Sequence, residues 1–462
     1  MDETLSTRRI FLQKGMALLA IAPTIPTFLD QTVMAMTHPD DTSQTQLPSG
    51  KDGKILVVVQ MSGGNDGLSM VIPHGDDAYY RNRGAISHAA NTVLKINDYV
   101  GLHPNLGTLK GMYDAGDLAV VQGVGYPNPN RSHFRAMDIW QSAAPQQDTP
   151  SSGWLGRYFD NTCPGCDPHV GISIGSTTPL AMTGMKVRPL NFERPDSYRY
   201  NGRDIAHYLE LNDVDPQSVS ASGGAGSSGN VASSGVDSPW AVDSAGLAFP
   251  PRGRVAVSSN GAPVTTETTQ LDFLHRTAMD AQLSSQEILR VTRNHTPVSA
   301  YPQGEFGNGL RTIAAMIAGG LPTRVYYVAL SGFDTHAAQL PRHDALMKQL
   351  AQGLGAFWDD LKKQKNSDRV MVMTFSEFGR RVQQNASNGT DHGAAAPMFV
   401  MGEHIQQGLV GKHPSLTDLD QGDLKYGVDF RSMYASVLQN WLETPSKPIL
   451  GNQFATMPLV NT

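Results

Sequence analysis

Apolar runs of strand length recur along this chain, and several of them end directly in short polar motifs. Lys54 to Met61 holds a continuous aliphatic run that breaks into a Gly-Gly turn, and Arg324 to Leu330 and Arg369 to Phe375 have the same character. Segments with helical spacing of their apolar residues lie between these runs. Continuous apolar strands are typical of strands buried on both faces, and alternation with helices favours parallel pairing. The sequence therefore predicts an α/β fold.

The motifs at the ends of these runs carry acidic, hydroxyl and histidine side chains. They lie at 63–66, 130–133, 334–336, 376–380 and 391–393. Because the carboxyl edge of a parallel sheet collects side chains from distant parts of a chain, we expect one composite site there. The residue types favour a metal site.

Candidate metal ligands come from four of the motifs. Asp334 and His336 stand two apart, so both point the same way in extended chain and could bind one cation. Each motif has an ordinary alternative. Asp66 could cap an Asx turn, and Asp334 with His336 could be a hydrogen-bonded pair in a loop. Glu377 could pair with an adjacent arginine, and His392 could be a simple loop histidine. The candidates are Asp66, Asp334, His336, Glu377, Asp391 and His392.

Ser132 is the candidate nucleophile. It stands near the start of a predicted helix, where backbone N–H groups attract an anion, and Arg131 and Arg135 could hold phosphate oxygens. A metal could ionise its hydroxyl without a Ser-His-Asp triad. Serine is also a preferred helix N-cap, so a structural role stays open.

The N-terminus and the cysteines indicate the compartment. Residues 1–35 contain an arginine pair followed by a short apolar stretch, which predicts a cleaved twin-arginine export signal and hence the export machinery as a partner. The stretch is shorter than the roughly 20 residues that span a bilayer, so we expect no stable span after cleavage. We expect a periplasmic or extracellular protein. Cys163 and Cys166 then favour a local disulfide, with redox and metal-binding roles as alternatives.

The mature chain is interpreted as one domain. Residues 50–462 form this α/β domain, and a flexible Ser/Gly-rich insertion is predicted at about 216–270. Nucleic-acid binding is not expected, because the formal net charge is −6 and no Lys/Arg-rich run occurs.

Taken together, the motifs resemble the bacterial family known as domain of unknown function 1501. The twin-arginine start and the segments 64–67, 130–134, 332–336, 376–380 and 391–393 carry the resemblance. That family is similar to a distant branch of the alkaline phosphatase and sulfatase superfamily. The resemblance implies a mixed, mostly parallel sheet flanked by helices on both faces, divalent metal at its carboxyl edge and a Ser or Thr nucleophile.

Three departures from the superfamily pattern qualify what the resemblance implies. Phe378 and Ala338 stand where the superfamily usually has histidines, and fewer nitrogen ligands would favour harder cations or a single metal. The sulfatase signature, a nucleophile two residues before Pro and four before Arg, is absent around Ser132.

We therefore expect an exported metal-dependent hydrolase of phosphate esters, or less readily of sulfate esters, on a small or polymeric substrate. The resemblance implies that Asp66 and Glu377 hold the metal that ionises Ser132, and that the aspartate and histidines of the later motifs hold a second cation. The metal would be Zn, Mg, Ca or Mn. The alternative is a non-catalytic cell-envelope binding or assembly protein that keeps the fold.

Overall fold

The computed structural model describes residues 50, 53–163, 166–197, 241–242, 248–249 and 284–461. The predicted export signal at 1–35 lies outside the described residues, and so does most of the predicted insertion. The chain divides into two compact units. One comprises Pro26–Arg199 with Asp280–Thr462, and the other comprises Met1–Ile25 with Tyr200–Met279.

Short and long strands alternate with helices along the chain. The strands are β1 (Ile55–Ser62), β2 (Val71–Ile72), β3 (Leu94–Lys95), β4 (Gly101–Leu102), β5 (Leu118–Gly125), β6 (Gly171–Ile174), β7 (Leu190–Phe192), β8 (Ala241–Val242), β9 (Ala248–Phe249), β10 (Val325–Ser331), β11 (Val370–Phe375), β12 (Ala396–Met401), β13 (Gly408–Val410), β14 (Leu419–Asp420), β15 (Asp423–Leu424) and β16 (Val428–Asp429). The helices are α1 (Gly67–Met70), α2 (Asp77–Asn82), α3 (Gly107–Ala115), α4 (His133–Ser142), α5 (Trp154–Thr162), α6 (Glu305–Ala318), α7 (Gln339–Gln364), α8 (Phe430–Ser436) and α9 (Lys447–Leu450).

Nine strands form the main sheet of the larger unit. Its order is β13-β5-β12-β11-β1-β10-β6-β7, and β16 also pairs with β5. The central strand β1 runs parallel to both β10 and β11, and β6 and β7 continue the parallel half. β12 is antiparallel to β11 and β5. The predicted α/β class with a mixed, mostly parallel sheet is confirmed. In the smaller unit, the described residues β8 and β9 form an antiparallel pair.

One face of this sheet packs against the helices α4, α5 and α8. Val58 of β1 lies in register with Tyr327 of β10 and Met373 of β11, and all three are buried. They share one apolar core with Trp140 of α4 and Tyr434 of α8.

The other face packs against α6, with α7 beside it. Val59 is as fully buried as Val58 but points to the opposite face, as successive strand residues do. Its register partner Val328 touches Gly309 of α6 so closely that a Cβ on that glycine would lie 2.9 Å from the valine. Because helices cover both faces, β1 is apolar from Ile55 to Val59, as its sequence indicates.

The turn after β1 brings the first motif against the loop after β10. Gly63 and Gly64 have φ angles of +119° and +75°, which residues with a side chain rarely adopt. A Cβ on Gly63 would lie 2.4 Å from the backbone nitrogen of Asp334. The glycines therefore permit the close approach that assembles the site.

The larger unit also contains the chain's two cysteines. Cys163 and Cys166 form a disulfide with Cα atoms 5.3 Å apart, as the compartment argument led us to expect. Within the described ranges, no helix is both long and apolar enough to cross a membrane.

Candidate metal centre

Ligand-type side chains from three separate segments meet at the carboxyl edge of the central strands. Asp334 and His336 follow β10, His392 precedes β12 and His133 is the first residue of α4. One ligand atom each of His133, Asp334 and His392 lies within 4.8 Å of the others. His336 joins them, with its Nε2 atom 2.8 Å from Nε2 of His392. We call Asp334 with these three histidines the histidine cluster.

All three imidazoles face the carboxylate of Asp334 through Nε2. The distances to Oδ1 are 3.1 Å from His336 and 3.4 Å from His392, and His133 lies 3.6 Å from Oδ2. The cluster is partly open to solvent, since the side chains of Asp334 and His336 are 49% and 44% exposed. A small ligand could therefore reach it.

The opposite nitrogen of each ring faces an oxygen that can only accept. Nδ1 of His133 lies 3.0 Å from Oε1 of Glu377, and Nδ1 of His336 lies 3.3 Å from Oδ1 of Asp391. Nδ1 of His392 lies 2.7 Å from the carbonyl oxygen of Arg131. Each Nδ1 must therefore carry the hydrogen, so in the neutral ring the lone pair is on Nε2.

Three Nε2 atoms thus face one carboxylate, and either a shared proton or a metal cation between them would stabilise this arrangement. Nε2 of His133 is buried and has no hydrogen-bond partner within the described part of the chain. Three imidazoles and one carboxylate, each imidazole fixed by a hydrogen bond at its far nitrogen, are the donor set and the support that zinc and similar divalent ions use. The residues present therefore fit a divalent metal.

Electrostatics keeps Asp334 ionised and His392 neutral. Partial burial alone would raise the pKa of Asp334, but the buried guanidinium of Arg380, whose Nη2 donates to Oδ1 at 2.7 Å, lowers it below its usual value. Burial lowers the pKa of His392, and the nearby charge of Arg380 lowers it further. Both groups are then in the form that binds a metal.

Arg380 also fixes where Asp334 sits. Its guanidinium donates to the backbone oxygens of Gly64, Phe333 and Thr390, at 2.7, 3.1 and 2.8 Å. These bonds join the turn after β1 to both loops that carry ligands. Sequence reasoning treated this arginine only as a possible partner of Glu377.

Glu377, predicted as a ligand, stands behind one instead. It is 2% exposed, and Oε1 accepts from the backbone N–H of Gly63 at 2.8 Å as well as from His133. Ser376 Oγ donates to its Oε2 at 3.2 Å. A carboxylate in this position would orient His133 for a metal, as in carboxylate–histidine–metal arrangements. Asp391, also predicted as a ligand, occupies the same place behind His336.

Asp66 lies away from the cluster in a buried ion pair. Both of its oxygens accept from the guanidinium of Arg83, and neither side chain is exposed. Ser69 Oγ and Gln339 Nε2 also donate to Oδ2. Burial alone would raise the pKa of Asp66, but the charge and hydrogen bonds of Arg83 hold it well below its usual range. In this geometry Arg83, which no local sequence signal marks, supplies the positive charge that we expected from a metal.

Ser132 is exposed at the N-cap of α4, directly before His133. Its side chain makes no capping hydrogen bond to the helix, and its backbone N–H donates to Oδ1 of Asn130 at 2.9 Å. Ser132 is thus an exposed residue without a capping role, adjacent in the chain to His133 of the cluster. Its role as a nucleophile stays a prediction.

The two arginines predicted to hold substrate oxygens bind protein groups. Arg131 pairs with the buried carboxylate of Asp423, with Nε at 2.9 Å from Oδ2. Arg135 donates to the carbonyl oxygens of Pro145 and Asp148 at 2.8 and 3.3 Å. Contact of either with substrate stays a prediction.

A second group of ligand-type residues is His88, His103 and Asp344. Here Nδ1 of His103 accepts from the backbone N–H of Asn105 at 3.0 Å, so Nε2 carries the hydrogen and donates to Asp344 Oδ1 at 2.8 Å. A ring in this tautomer has no lone pair to offer on that side. In this group the buried His103 is hydrogen-bonded to the partly exposed Asp344, and His88 lies beside them.

His133 is the cluster member that sequence reasoning missed. It belongs to the 130–133 motif, in which Ser132 and not His133 was predicted to act. The sequence signal that could have identified it is a histidine directly after a helix N-cap. In the structure this position brings the ring of His133 to the histidine cluster. With His133 included, the cluster has more nitrogen donors than the departures at Phe378 and Ala338 led us to expect.

A known protein family matches part of this chain. The model of the family described as "Protein of unknown function (DUF1501)" matches residues 262–450, which confirms the predicted resemblance to that family. No curated protein matches the sequence.

Several solved structures are similar to the chain. A protein in the alkaline phosphatase superfamily from Vibrio parahaemolyticus is 10% identical with a TM-score of 0.34, and the match covers 92% of this chain and 78% of that one. A sulfatase from a Pseudoalteromonas species is 10% identical with a TM-score of 0.35, covering 94% and 77%. The lipoteichoic acid synthase of Listeria monocytogenes is 8% identical with a TM-score of 0.31, covering 83% and 74%.

Proposed function

We propose that this chain is a divalent-metal hydrolase of phosphate esters, less readily of sulfate esters, and that the histidine cluster holds the metal. The observation that carries the proposal is the convergence of three Nε2 lone pairs on the carboxylate of Asp334. The donor set favours zinc over the harder cations, since imidazole suits zinc and its neighbours.

The chain's own residues hold and orient the site. Asp334 and the Nε2 atoms of the histidines would bind the cation, while Glu377, Asp391 and the carbonyl of Arg131 fix the rings by accepting from Nδ1. A divalent cation bound there supplies Lewis-acid chemistry, because it stabilises negative charge that develops on the oxygens of an ester. Arg380 keeps Asp334 ionised and in place.

Ser132 is the proposed nucleophile. It lies between Arg131, whose carbonyl orients His392, and His133, whose ring belongs to the cluster. Its hydroxyl is exposed and is not used as a helix cap. The first turn of α4 supplies backbone N–H groups that would attract the oxygens of a bound phosphate.

Phosphate is preferred to sulfate because of the residues that follow the serine. Phe134 and Ala136 stand where the sulfatase signature requires Pro and Arg. We place the activity in the periplasm or outside the cell, as the N-terminal sequence indicates and as the Cys163–Cys166 disulfide fits, since disulfides persist in oxidising compartments.

The test is metal analysis of protein folded in its native host, followed by hydrolysis of p-nitrophenyl phosphate and p-nitrophenyl sulfate. We expect bound zinc or a similar ion and faster turnover of the phosphate. Ser132→Ala should lower kcat by at least about a hundredfold with unchanged metal content. The control is Ser151→Ala, since Ser151 is another exposed serine before a helix.

Three results would change the proposal. If Ser132→Ala turns over the ester as fast as the wild type, Ser132 is not the nucleophile. Direct attack by water would then take its place. A wild type without bound metal would overturn the metal centre. A wild type that binds metal but hydrolyses neither ester would favour a non-catalytic cell-envelope binding protein, the reading supported by the arginines that bind Asp423 and the 145–148 loop instead of solvent.

A further inference from the structure

We infer that a buried polar network beneath the histidine cluster fixes the two ligand-bearing loops relative to each other, with Gln339 as its centre. The inference rests on the proposed metal site and extends it to positioning residues that touch no metal ligand atom. We call Gln339 with Thr335, Thr390, Asp66 and Arg83 the loop cross-link.

One side-chain oxygen joins the two loops. Thr335 lies between the ligands Asp334 and His336, and Thr390 lies two residues before His392. The hydroxyls of both threonines donate to Oε1 of Gln339, at 3.0 Å from Thr335 and 2.6 Å from Thr390. The backbone N–H of Thr390 also donates to the carbonyl of Thr335 at 3.2 Å. A displacement of either loop would therefore break a bond to the same acceptor.

The other end of the amide fixes which way Gln339 points. Its Nε2 donates to Oδ2 of Asp66, a carboxylate that can only accept. The amide oxygen must then face the two threonine hydroxyls, so the orientation follows from the partners. Gln339, Thr335 and Thr390 are at most 1% exposed, which leaves no water to replace these bonds.

The Asp66–Arg83 pair anchors the network to the fold. Arg83 neutralises Asp66 and also donates to the carbonyl oxygens of Val382 and Arg381, at 2.6 and 2.8 Å. Those residues begin the segment that leads to Thr390. Asp66, predicted as a ligand, thus acts in this structure as the fixed acceptor that holds Gln339.

Ligand positions matter because a metal site tolerates displacements of only about 0.5 Å. Asp334 and His336 lie on a partly exposed loop, where side-chain packing alone gives little restraint. The buried hydroxyls provide the restraint from below. Removing a partner from outside a ligand shell typically weakens metal binding about 10- to 100-fold.

The experiment compares threonine variants at matched burial. Thr390→Val and Thr335→Val remove one hydroxyl each with little change in shape, and Thr390→Ser keeps it. The control is Thr374→Val, because Thr374 is fully buried and its hydroxyl accepts from the backbone N–H of Phe399 at 2.9 Å, within the sheet. Zinc affinity would be measured by competition with a chromophoric chelator, ligand geometry by the visible spectrum of the cobalt form, and stability by the Tm of the metal-free protein.

We expect both ligand-loop valine variants to bind zinc about 10- to 100-fold more weakly and to shift the cobalt spectrum. Thr390→Ser should match the wild type, and Thr374→Val should lower only the Tm. If Thr390→Val does not fold, the zinc affinity of Thr335→Val tests the inference. If Thr335→Val and Thr390→Val bind zinc as tightly as Thr374→Val does, the inference is wrong. The proposed metal centre would be unaffected by that result. A wild type that binds neither zinc nor cobalt would overturn the metal centre and the inference together.

Discussion

Among the described residues, two groups combine histidines with an aspartate, and only the histidine cluster has hydrogen bonds that suit a metal site. In the histidine cluster every Nδ1 faces an accepting oxygen, so every Nε2 offers a lone pair toward Asp334. In the group of His88, His103 and Asp344, a backbone N–H occupies Nδ1 of His103 and reverses the tautomer. Residue type is the same in both groups, and the hydrogen bond on the far side of the ring decides the chemistry.

Solvent access separates the groups as well. His88 and His103 are 8% and 1% exposed, whereas the side chains of Asp334 and His336 in the cluster are 49% and 44% exposed. Burial lowers the pKa of His103 to about 4, with the neighbouring His88 contributing and Asp344 opposing. His88 and His103 are therefore neutral histidines that belong to the fold, and the more open cluster is the candidate binding site.

Removal of a cluster histidine should have the largest effect. We expect His392→Ala and His133→Ala to weaken zinc binding by more than about a hundredfold, since even the loss of a supporting residue can reach that size. The measurement is zinc affinity by chelator competition, with the matched variant His88→Ala expected to bind like the wild type. Equal losses in His88→Ala and His392→Ala would erase the distinction between the groups.

Loss of charge behind His133 should have the next largest effect. Glu377→Gln keeps an acceptor for Nδ1 but removes the carboxylate that Gly63 N–H and Ser376 Oγ also bind. We expect about tenfold weaker zinc binding, at the low end of the range for such partners. The zinc affinity is again measured by chelator competition. Unchanged affinity would show that the tautomer of His133 does not depend on this carboxylate.

The buried group should affect acid stability. Since the folded-state pKa of His103 is lowered, the unfolded chain takes up a proton first, near the ordinary histidine value of about 6.5. The stability that this group contributes is present above that pH and is lost as the pH falls toward 4. Urea unfolding of metal-free protein at pH 7.5 and 5.5 should show a loss on the order of 1 kcal/mol that depends on His103.

The matched variant for that measurement is His103→Asn. Asparagine is also a good helix N-cap, so it can accept from the backbone N–H of Asn105 without titrating. We expect the variant to lose less stability between the two pH values. An identical loss in the variant and the wild type would assign the effect to other groups.

The smallest effect is expected at Asp344. Asp344→Asn keeps an oxygen for the N–H of His103 and should lower the free energy of unfolding by about 0.5–1 kcal/mol. The number of zinc ions bound per chain should not change, as metal analysis would show. Loss of one ion on this substitution would mean that the buried group binds metal after all.

Particular residues show how far sequence reasoning reached. The ends of the apolar runs located Asp334, His336 and His392 on loops that meet, because strands of a parallel sheet end at a common edge. The same logic placed Asp66 and Glu377 near that edge but could not assign their partners. Asp66 lies against Arg83, and Glu377 lies behind His133.

The sequence by itself determined the α/β class, the central strand and the segments that supply the site, because burial on both faces and glycine turns leave local patterns. Only the tertiary structure decided which side chains converge as candidate ligands and which support them. Whether a side chain can bind a metal depends on the hydrogen bond at Nδ1 of each imidazole. For a carboxylate, it depends on whether a guanidinium already pairs with it, as Arg83 does with Asp66. Both depend on residues distant in the chain, and neither has a local signature.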